Sequence, residues 1–267
     1  MIKGNKFDIL SYSSTKLELI FQNSTIATGS GILWRSNGKL FLVTNWHNFT
    51  GKNPFTNKSL SEGASVPDSV RFWITRRDVL GNISVHHKPV KLPLYEEFYE
   101  PFWKQHSDFH ALRIDIAVIE LNIPFPSEVI TMQSNKFENL LSQISHDVFI
   151  VGYPLKNSDN KLPIWKRGSI ASEPRIPWDG KPAYLIDAAS RKGMSGSPVY
   201  RRNFGPAPII QDDGSINVKL DNVVTTSFAG IYSGHLSEGE ESVTLGIAWL
   251  PHLVQEIIDN PTSGTRD

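Results

Sequence analysis

Residues 29–47 read Gly29-Ser-Gly-Ile-Leu-Trp34, Arg35-Ser-Asn-Gly38 and Lys39-Leu-Phe-Leu-Val-Thr-Asn-Trp-His47. Asn37-Gly38 is a strong hairpin signal, because both central residues of a type I′ turn need positive φ. A glycine-rich strand start therefore leads through a tight turn into a second strand, Lys39–Thr44. That strand ends close to His47. A histidine just past a strand end can be aimed into a cleft by a rigid scaffold. Taken alone, it reads equally well as a surface loop residue.

The same pattern recurs outward in both directions. Lys16–Gln22, Val70–Thr75, Asp115–Leu121, Asp147–Tyr153, Asn222–Tyr232 and Ser242–Ala248 are short runs rich in β-branched and aromatic residues. Each is bounded by Gly, Pro, Asn or Ser, which predicts strands. Helical and strand patterns do not alternate, which excludes a doubly wound parallel sheet. One helix is expected. Pro251 opens it, Leu253, Val254, Ile257 and Ile258 place apolar groups at helical spacing, and Asn260-Pro261 ends it. Asn48–Asp68 and Tyr95–Arg113 read as loops. A break over Asn122–Asn139, with Pro124 and Pro126, suggests a subdomain boundary.

The chain has 267 residues, 27 basic and 27 acidic side chains, and no cysteine. The length suits one large domain or two small ones. Balanced charge argues against nucleic-acid binding by bulk electrostatics. Without cysteine there is no disulfide framework, thiolate metal site or cysteine nucleophile. No apolar run approaches the length of a membrane span, and the N-terminus lacks the apolar core of a signal peptide. Asn23, Asn48, Asn57 and Asn82 begin Asn-x-Ser/Thr matches, which a chain rich in these residues produces by chance. The expectation is a cytoplasmic protein with no membrane partner.

Two further segments carry chemistry. Asp115 opens the apolar run Asp115-Ile-Ala-Val-Ile-Glu-Leu121, where a carboxylate needs hydrogen-bonding partners. It is also readable as a strand-start aspartate satisfied by backbone amides. Asp187-Ala-Ala-Ser-Arg-Lys-Gly-Met-Ser-Gly-Ser-Pro-Val-Tyr200 places Ser195 among glycines between strand-like runs. A tight loop there can point two backbone N–H groups at one spot, as an oxyanion hole requires. Gly193-Met-Ser-Gly-Ser197 is not the G-x-S-x-G elbow of α/β-hydrolases. The order histidine, aspartate, serine is one of the known orders of an acyl-transfer triad.

These segments together resemble the trypsin/chymotrypsin-like serine peptidases of the bacterial, disulfide-free kind, near the Deg/HtrA and glutamyl-endopeptidase branches. Thr44-Asn-Trp-His47 keeps the ends of the family's Thr-Ala-Ala-His and changes its middle. Asp115-Ile-Ala-Val resembles the family's Asp-Ile-Ala-Leu, and Gly193-Met-Ser-Gly-Ser-Pro-Val resembles Gly-Asn-Ser-Gly-Ser-Pro-Val. The likeness runs from about Gly29 to Ile258.

The resemblance implies an all-β fold of two antiparallel six-stranded barrels with a short C-terminal helix. Residues 1–125 would form the N-terminal barrel with His47 and Asp115, 126–145 a linker, and 146–250 the C-terminal barrel with Ser195. Residues 251–260 would be the helix and 261–267 a tail. It implies His47, Asp115 and Ser195 as the triad, the N–H groups of Gly193 and Ser195 as the oxyanion hole, and a polypeptide substrate. No metal or cofactor is implied. Substrate contacts would come from Ala189, Ser190, Ser233, Gly234, His235 and Gly246. Ser233 takes the place of a serine near the triad aspartate. Ala189, at the pocket floor, is not a carboxylate, which predicts cleavage after small-to-medium apolar residues. Asp187 is a weaker candidate for contact with a basic side chain. Tyr232 replaces the histidine of the glutamate-specific branch, and His235 is the residue that would restore an acidic preference.

Met194 stands where trypsin-type zymogens keep an aspartate that pairs with a new N-terminus. The expectation is a loop competent from the start, or one ordered by an activating partner protein. His86, His87, His106 and His110 read as exposed loop histidines rather than zinc ligands. Phe98, Tyr99, Phe102, Trp103 and Phe109 read as a satellite core rather than a partner surface. Arg71, Arg76 and Arg77 read as solvated surface. Two rival functions remain at this level. One is an inactive protein-binding module, supported by Asn45-Trp46 beside His47, which would crowd it, and by Met194 beside Ser195. The other is an esterase using the same triad.

Overall fold

The computed structural model describes residues 8–61, 63–85, 89–96, 100–124, 126–155, 162–189, 191–220, 224–235 and 245–266. The N-terminal half contains α1 (Leu10–Ser13), β1 (Ser14–Phe21), β2 (Ser24–Ser36), β3 (Lys39–Thr44), α2 (Trp46–Thr50), β4 (Ser69–Phe72), β5 (Thr75–Arg77), β6 (Ile83–Val85), β7 (Val90–Pro93), β8 (Lys104–Gln105), α3 (Phe109–Leu112) and β9 (Ala117–Leu121). The C-terminal half contains β10 (Asp147–Gly152), β11 (Ile164–Ile170), β12 (Ala183–Asp187), β13 (Pro198–Phe204), β14 (Ala207–Ile210), β15 (Ile216–Lys219), β16 (Val224–His235) and β17 (Leu245–Trp249). Helix α4 (His252–Asp259) and strand β18 (Thr262–Ser263) follow.

The β2–β3 hairpin turns at Asn37-Gly38 with φ of 48° and 75°, and pairs Ser36 with Lys39 and Ile32 with Val43. Both faces of β3 are buried, which is why its sequence is apolar without a break. Side chains alternate across a strand. Leu40 and Leu42 accordingly join Leu17, Leu33, Trp46 and Phe49 inside the N-terminal half. Phe41 and Val43 join Ile32, Ile116, Val151, Leu185, Ile247 and Trp249 in the seam between the halves. Strand β12 divides the same way. Ala183 and Leu185 face the seam, while Tyr184 and Ile186 fill the C-terminal barrel.

Helix α4 lies on that seam through Leu253, Val254 and Ile257, each no more than 1% exposed. Burying one such side chain stabilises by about 1.5–3 kcal/mol. Pro251 is its N-cap and Asn260 its C-cap, as the pattern predicted.

The barrels depart from expectation in one respect. The C-terminal half closes as a six-stranded barrel in the order β10-β11-β12-β17-β16-β13. The N-terminal half is an eight-stranded sheet ordered β18-β8-β9-β3-β2-β1-β4-β7, and its ends do not join among the described residues. Residues 262–263, expected as part of a tail, form its edge strand and pair with β8. A two-residue strand such as β8 has little to close against, and β18 satisfies its otherwise open edge. Among the described residues no helix is long and apolar enough to cross a membrane.

Candidate active site

Helix α2 begins directly after β3, and successive helical residues point about 100° apart. Three neighbours therefore serve three places. Asn45 is fully buried and its Nδ2 donates to the Asp115 carbonyl at 2.6 Å. Trp46 turns into the N-terminal core beside Phe109, ring centroids 4.8 Å apart, and Trp103, and its Nε1 donates to the Thr265 carbonyl at 3.0 Å. His47 faces Asp115. Gly51, at φ 68°, closes the turn by donating its N–H to the His47 carbonyl.

Asp115 precedes β9 by two residues and is fully buried between Ile114 and Ile116, which face the seam. Its Oδ1 accepts the His47 backbone N–H at 2.9 Å. Its Oδ2 lies 2.6 Å from His47 Nδ1 and accepts the Ser233 hydroxyl. A buried carboxylate survives desolvation only with such partners. Because Oδ2 is an acceptor, this contact favours the tautomer with the proton on Nδ1 and leaves Nε2 as the nitrogen that faces away from Asp115. The His47 side chain remains 12% exposed.

Ser195 lies in the loop between β12 and β13, where Gly193 and Gly196 have φ of 97° and 84°. Only glycine adopts these angles readily. Met194 donates to the Arg191 carbonyl, Ser197 to the Met194 carbonyl and Gly196 to the Tyr232 carbonyl. Among the described residues the N–H groups of Gly193 and Ser195 have no acceptor. The loop's carbonyls are held from the N-terminal half. Ser30 Oγ donates to Gly193 O at 2.7 Å, while Ser30 N and Asn48 Nδ2 donate to Ser195 O at 2.8 and 3.1 Å.

The structure thus brings His47, Asp115 and Ser233 into one hydrogen-bonded group. Ser195 Oγ lies next to Gly234, 3.4 Å from where that residue's Cβ would be, and forms no hydrogen bond to His47. Such bonds are often long in a substrate-free site and tighten on binding.

Ala189 is exposed, and Ser190 lies outside the described residues. Gly246 is buried against Tyr232, whose ring atoms lie 2.3–2.6 Å from where a Cβ would be. Strand β16 pairs Tyr232 with Ala248 and His235 with Gly246, and the irregularity between them falls at Ser233-Gly234. Met194 is buried in the C-terminal barrel core.

Of the other singled-out residues, Trp103 and Phe109 belong to the main N-terminal core and Phe102 is exposed. This corrects the satellite reading. Phe98, Tyr99, His86 and His87 lie outside the described residues. His106 contacts Glu256 at 3.0 Å, Arg71 contacts Glu18 at 3.0 Å, and His110 is exposed. Sequence reasoning missed Asn45, Ser30 and Asn48. The available signal for the last two was a serine and an asparagine set among glycines and aromatics beside the motif histidine.

The family profile of the trypsin-like peptidase domain matches residues 29–205. The chain belongs to this family, and it is a serine protease, a hydrolase. No curated protein matches it. Among the many solved structures that resemble it, three examples are of low identity. The Rv3671c protease of M. tuberculosis in an inactive form is 15% identical, with TM-score 0.47 over 94% of this chain and 89% of that one. A serine endoprotease from Yersinia pestis is 14% identical, with TM-score 0.46 over 93% and 62%. The HtrA-type protease AlgW with a tripeptide is 15% identical, with TM-score 0.46 over 93% and 60%.

Proposed function

We propose that the chain is an endopeptidase that cuts peptide bonds through His47, Asp115 and Ser195 by way of an acyl-enzyme. The observation that carries this reading is the fully buried Asp115 carboxylate, which takes donors from His47 N, His47 Nδ1 and Ser233 Oγ. That arrangement holds one imidazole tautomer and stabilises its cation. Ser195 Oγ attacks the carbonyl carbon as His47 Nε2 takes its proton. The same proton then goes to the leaving amine. Water, deprotonated by His47, releases the acyl group and regenerates Ser195. The amides of Gly193 and Ser195, without an acceptor among the described residues, are suited to the oxyanion. One such donor typically contributes about 2.7–4 kcal/mol in the transition state.

Tyr232, fully buried in the C-terminal barrel core, packs on Gly246 so closely that no side chain fits there. Ala189 is exposed and supplies no carboxylate for a basic side chain, which supports cleavage after small-to-medium apolar residues. The interrupted pairing at Ser233-Gly234 leaves backbone for a substrate strand to pair with. Loop amides without an acceptor among the described residues support a chain competent without N-terminal trimming. An intact chain inert until cut near a buried Ile or Val would overturn that point.

The inactive-module reading rested on Asn45-Trp46 crowding His47 and on Met194 beside Ser195; Trp46 is turned into the N-terminal core and Met194 into the C-terminal one, which favours the enzyme. Fluorophosphonate labelling of wild type against Ser195→Ala tests the nucleophile. The expected result is labelling of the first and none of the second; no labelling of folded wild type refutes the triad reading. Ester turnover without peptide turnover would make it an esterase. Peptide-library cleavage tests specificity, and dominant cleavage after Arg or Lys refutes the apolar preference.

A further inference from the structure

We infer that Asn48 and Ser30 are positioning residues that lock the nucleophile loop from the opposite half of the molecule, so that the Ser195 amide is aimed at the oxyanion only when the halves are docked. The inference rests on the reading of Ser195 as nucleophile.

Peptide groups are planar, so holding a carbonyl also orients the N–H of the next residue. Ser30 Oγ holds Gly193 O at 2.7 Å, and Met194 N in the same peptide plane donates to Arg191 O. Ser30 N and Asn48 Nδ2 hold Ser195 O, and Gly196 N in that plane donates to Tyr232 O. The planes on either side of the Met194–Ser195 peptide are therefore pinned. The Met194–Ser195 plane is left with its N–H free, its carbonyl taken by Ser197 N.

The orientation of the Asn48 amide follows from its partners. Thr44 Oγ1 donates to Ser30 O at 2.7 Å, so it can only accept from Asn48 Nδ2 at 2.8 Å. Ser195 O is likewise an acceptor. Both contacts need N–H donors, which an asparagine supplies and an aspartate does not. Asn48 is 3% exposed and Ser30 and Thr44 are fully buried, so water does not substitute for these bonds.

The glycines around this group have the same cause. A Cβ on Gly29 would lie 2.8–3.0 Å from the Asn48 amide atoms. A Cβ on Gly196 would lie 2.0 Å from Ser30 O and 2.3 Å from Thr44 Oγ1. The two halves approach here at backbone distance, directly behind the nucleophile. Asn48 follows His47 on α2, so one helical turn orients both the base and the nucleophile loop.

The test uses Asn48→Asp, which keeps shape and sets a carboxylate oxygen against two acceptors. It also uses Gly29→Ala, which displaces the Asn48 amide without changing it, and guards against a misfolded first variant. In folded variants kcat should fall about tenfold to a hundredfold, the scale expected of a misplacement near 1 Å. KM should stay within about twofold, since ground-state binding is not removed. The inhibition constant of a peptide boronic acid should rise in proportion to the loss of kcat/KM, which a merely structural role would not produce. Unchanged kcat and boronate affinity in both folded variants overturn the inference. Deuterium exchange of residues 192–198, measured in a Ser195→Ala background, needs no turnover. It should quicken by about tenfold in both variants. If wild type neither cleaves nor binds the boronate, the nucleophile reading fails, and exchange still decides the pinning. Exchange equal to the parent's overturns it.

Discussion

Trp46→Ala moves the histidine turn toward the family's Thr-Ala-Ala-His. If the indole crowded His47, the substitution would raise activity. The structure requires the opposite. Trp46 is 1% exposed, packs on Phe109 at 4.8 Å and edge-on to Trp103 at 6.5 Å, and donates to Thr265 O. Truncating a buried tryptophan costs about 3–5 kcal/mol, including the cavity left behind. The lost hydrogen bond adds about 0.5 kcal/mol, near the low end, because Thr265 is only partly buried and its carbonyl can find water. Against a total stability of about 5–15 kcal/mol, this is a large fraction. For a chain of this size it corresponds to a fall in Tm of roughly 7–22 °C. Scanning calorimetry measures that fall, and fluorophosphonate titration gives activity per folded molecule. Trp46→Phe keeps most of the packing and should cost only about 1–2 kcal/mol. An alanine variant as stable as wild type, with faster labelling, would refute the placement of Trp46 and restore the crowding argument.

Other expectations follow from the same contacts. Gly264→Ala would bring a Cβ within 2.4 Å of the Trp103 ring, and this overpacking should lower stability by about 1–3 kcal/mol in denaturant titration. Tyr232→Ala should empty a fully buried position of the C-terminal barrel core beside Gly246 and lower stability by about 3–5 kcal/mol in denaturant titration; an unchanged midpoint would refute that placement. Burial, and then the charge of Arg201, hold the His146 imidazole below its ordinary pKa. The unfolded chain therefore binds this proton more readily, so the neutral ring's contribution is present above about pH 6.5 and is lost as pH falls through that value. His146→Gln should flatten the decline in Tm between about pH 7 and pH 5, and an unchanged decline would assign it to other groups.

Legibility followed the range of the interactions involved. The hairpin at Asn37-Gly38 and helix α4 depend on neighbours in the chain, and both stand where the pattern predicted. The pairing of Ser233 with Asp115 was readable only through family resemblance, because 118 positions separate them. Helices α1, α2 and α3 were not predicted. They are four or five residues long and carry no periodic stripe to betray them. The open N-terminal sheet and its edge strand β18 escaped prediction because two-residue strands have no alternation to read.

The sequence by itself determined the all-β class, the two-part organisation and the residue types available for acyl transfer, since turn chemistry, strand alternation and motif spacing are local. Tertiary structure alone decided that Trp46 faces away from His47 and that Asn48 and Ser30 reach across to the nucleophile loop. Those outcomes depend on which way a buried side chain turns and on what the other half of the chain presents to it. Neither is encoded in the spacing of a segment, because both are settled when the two halves pack and most buried polar groups find partners in the packed structure.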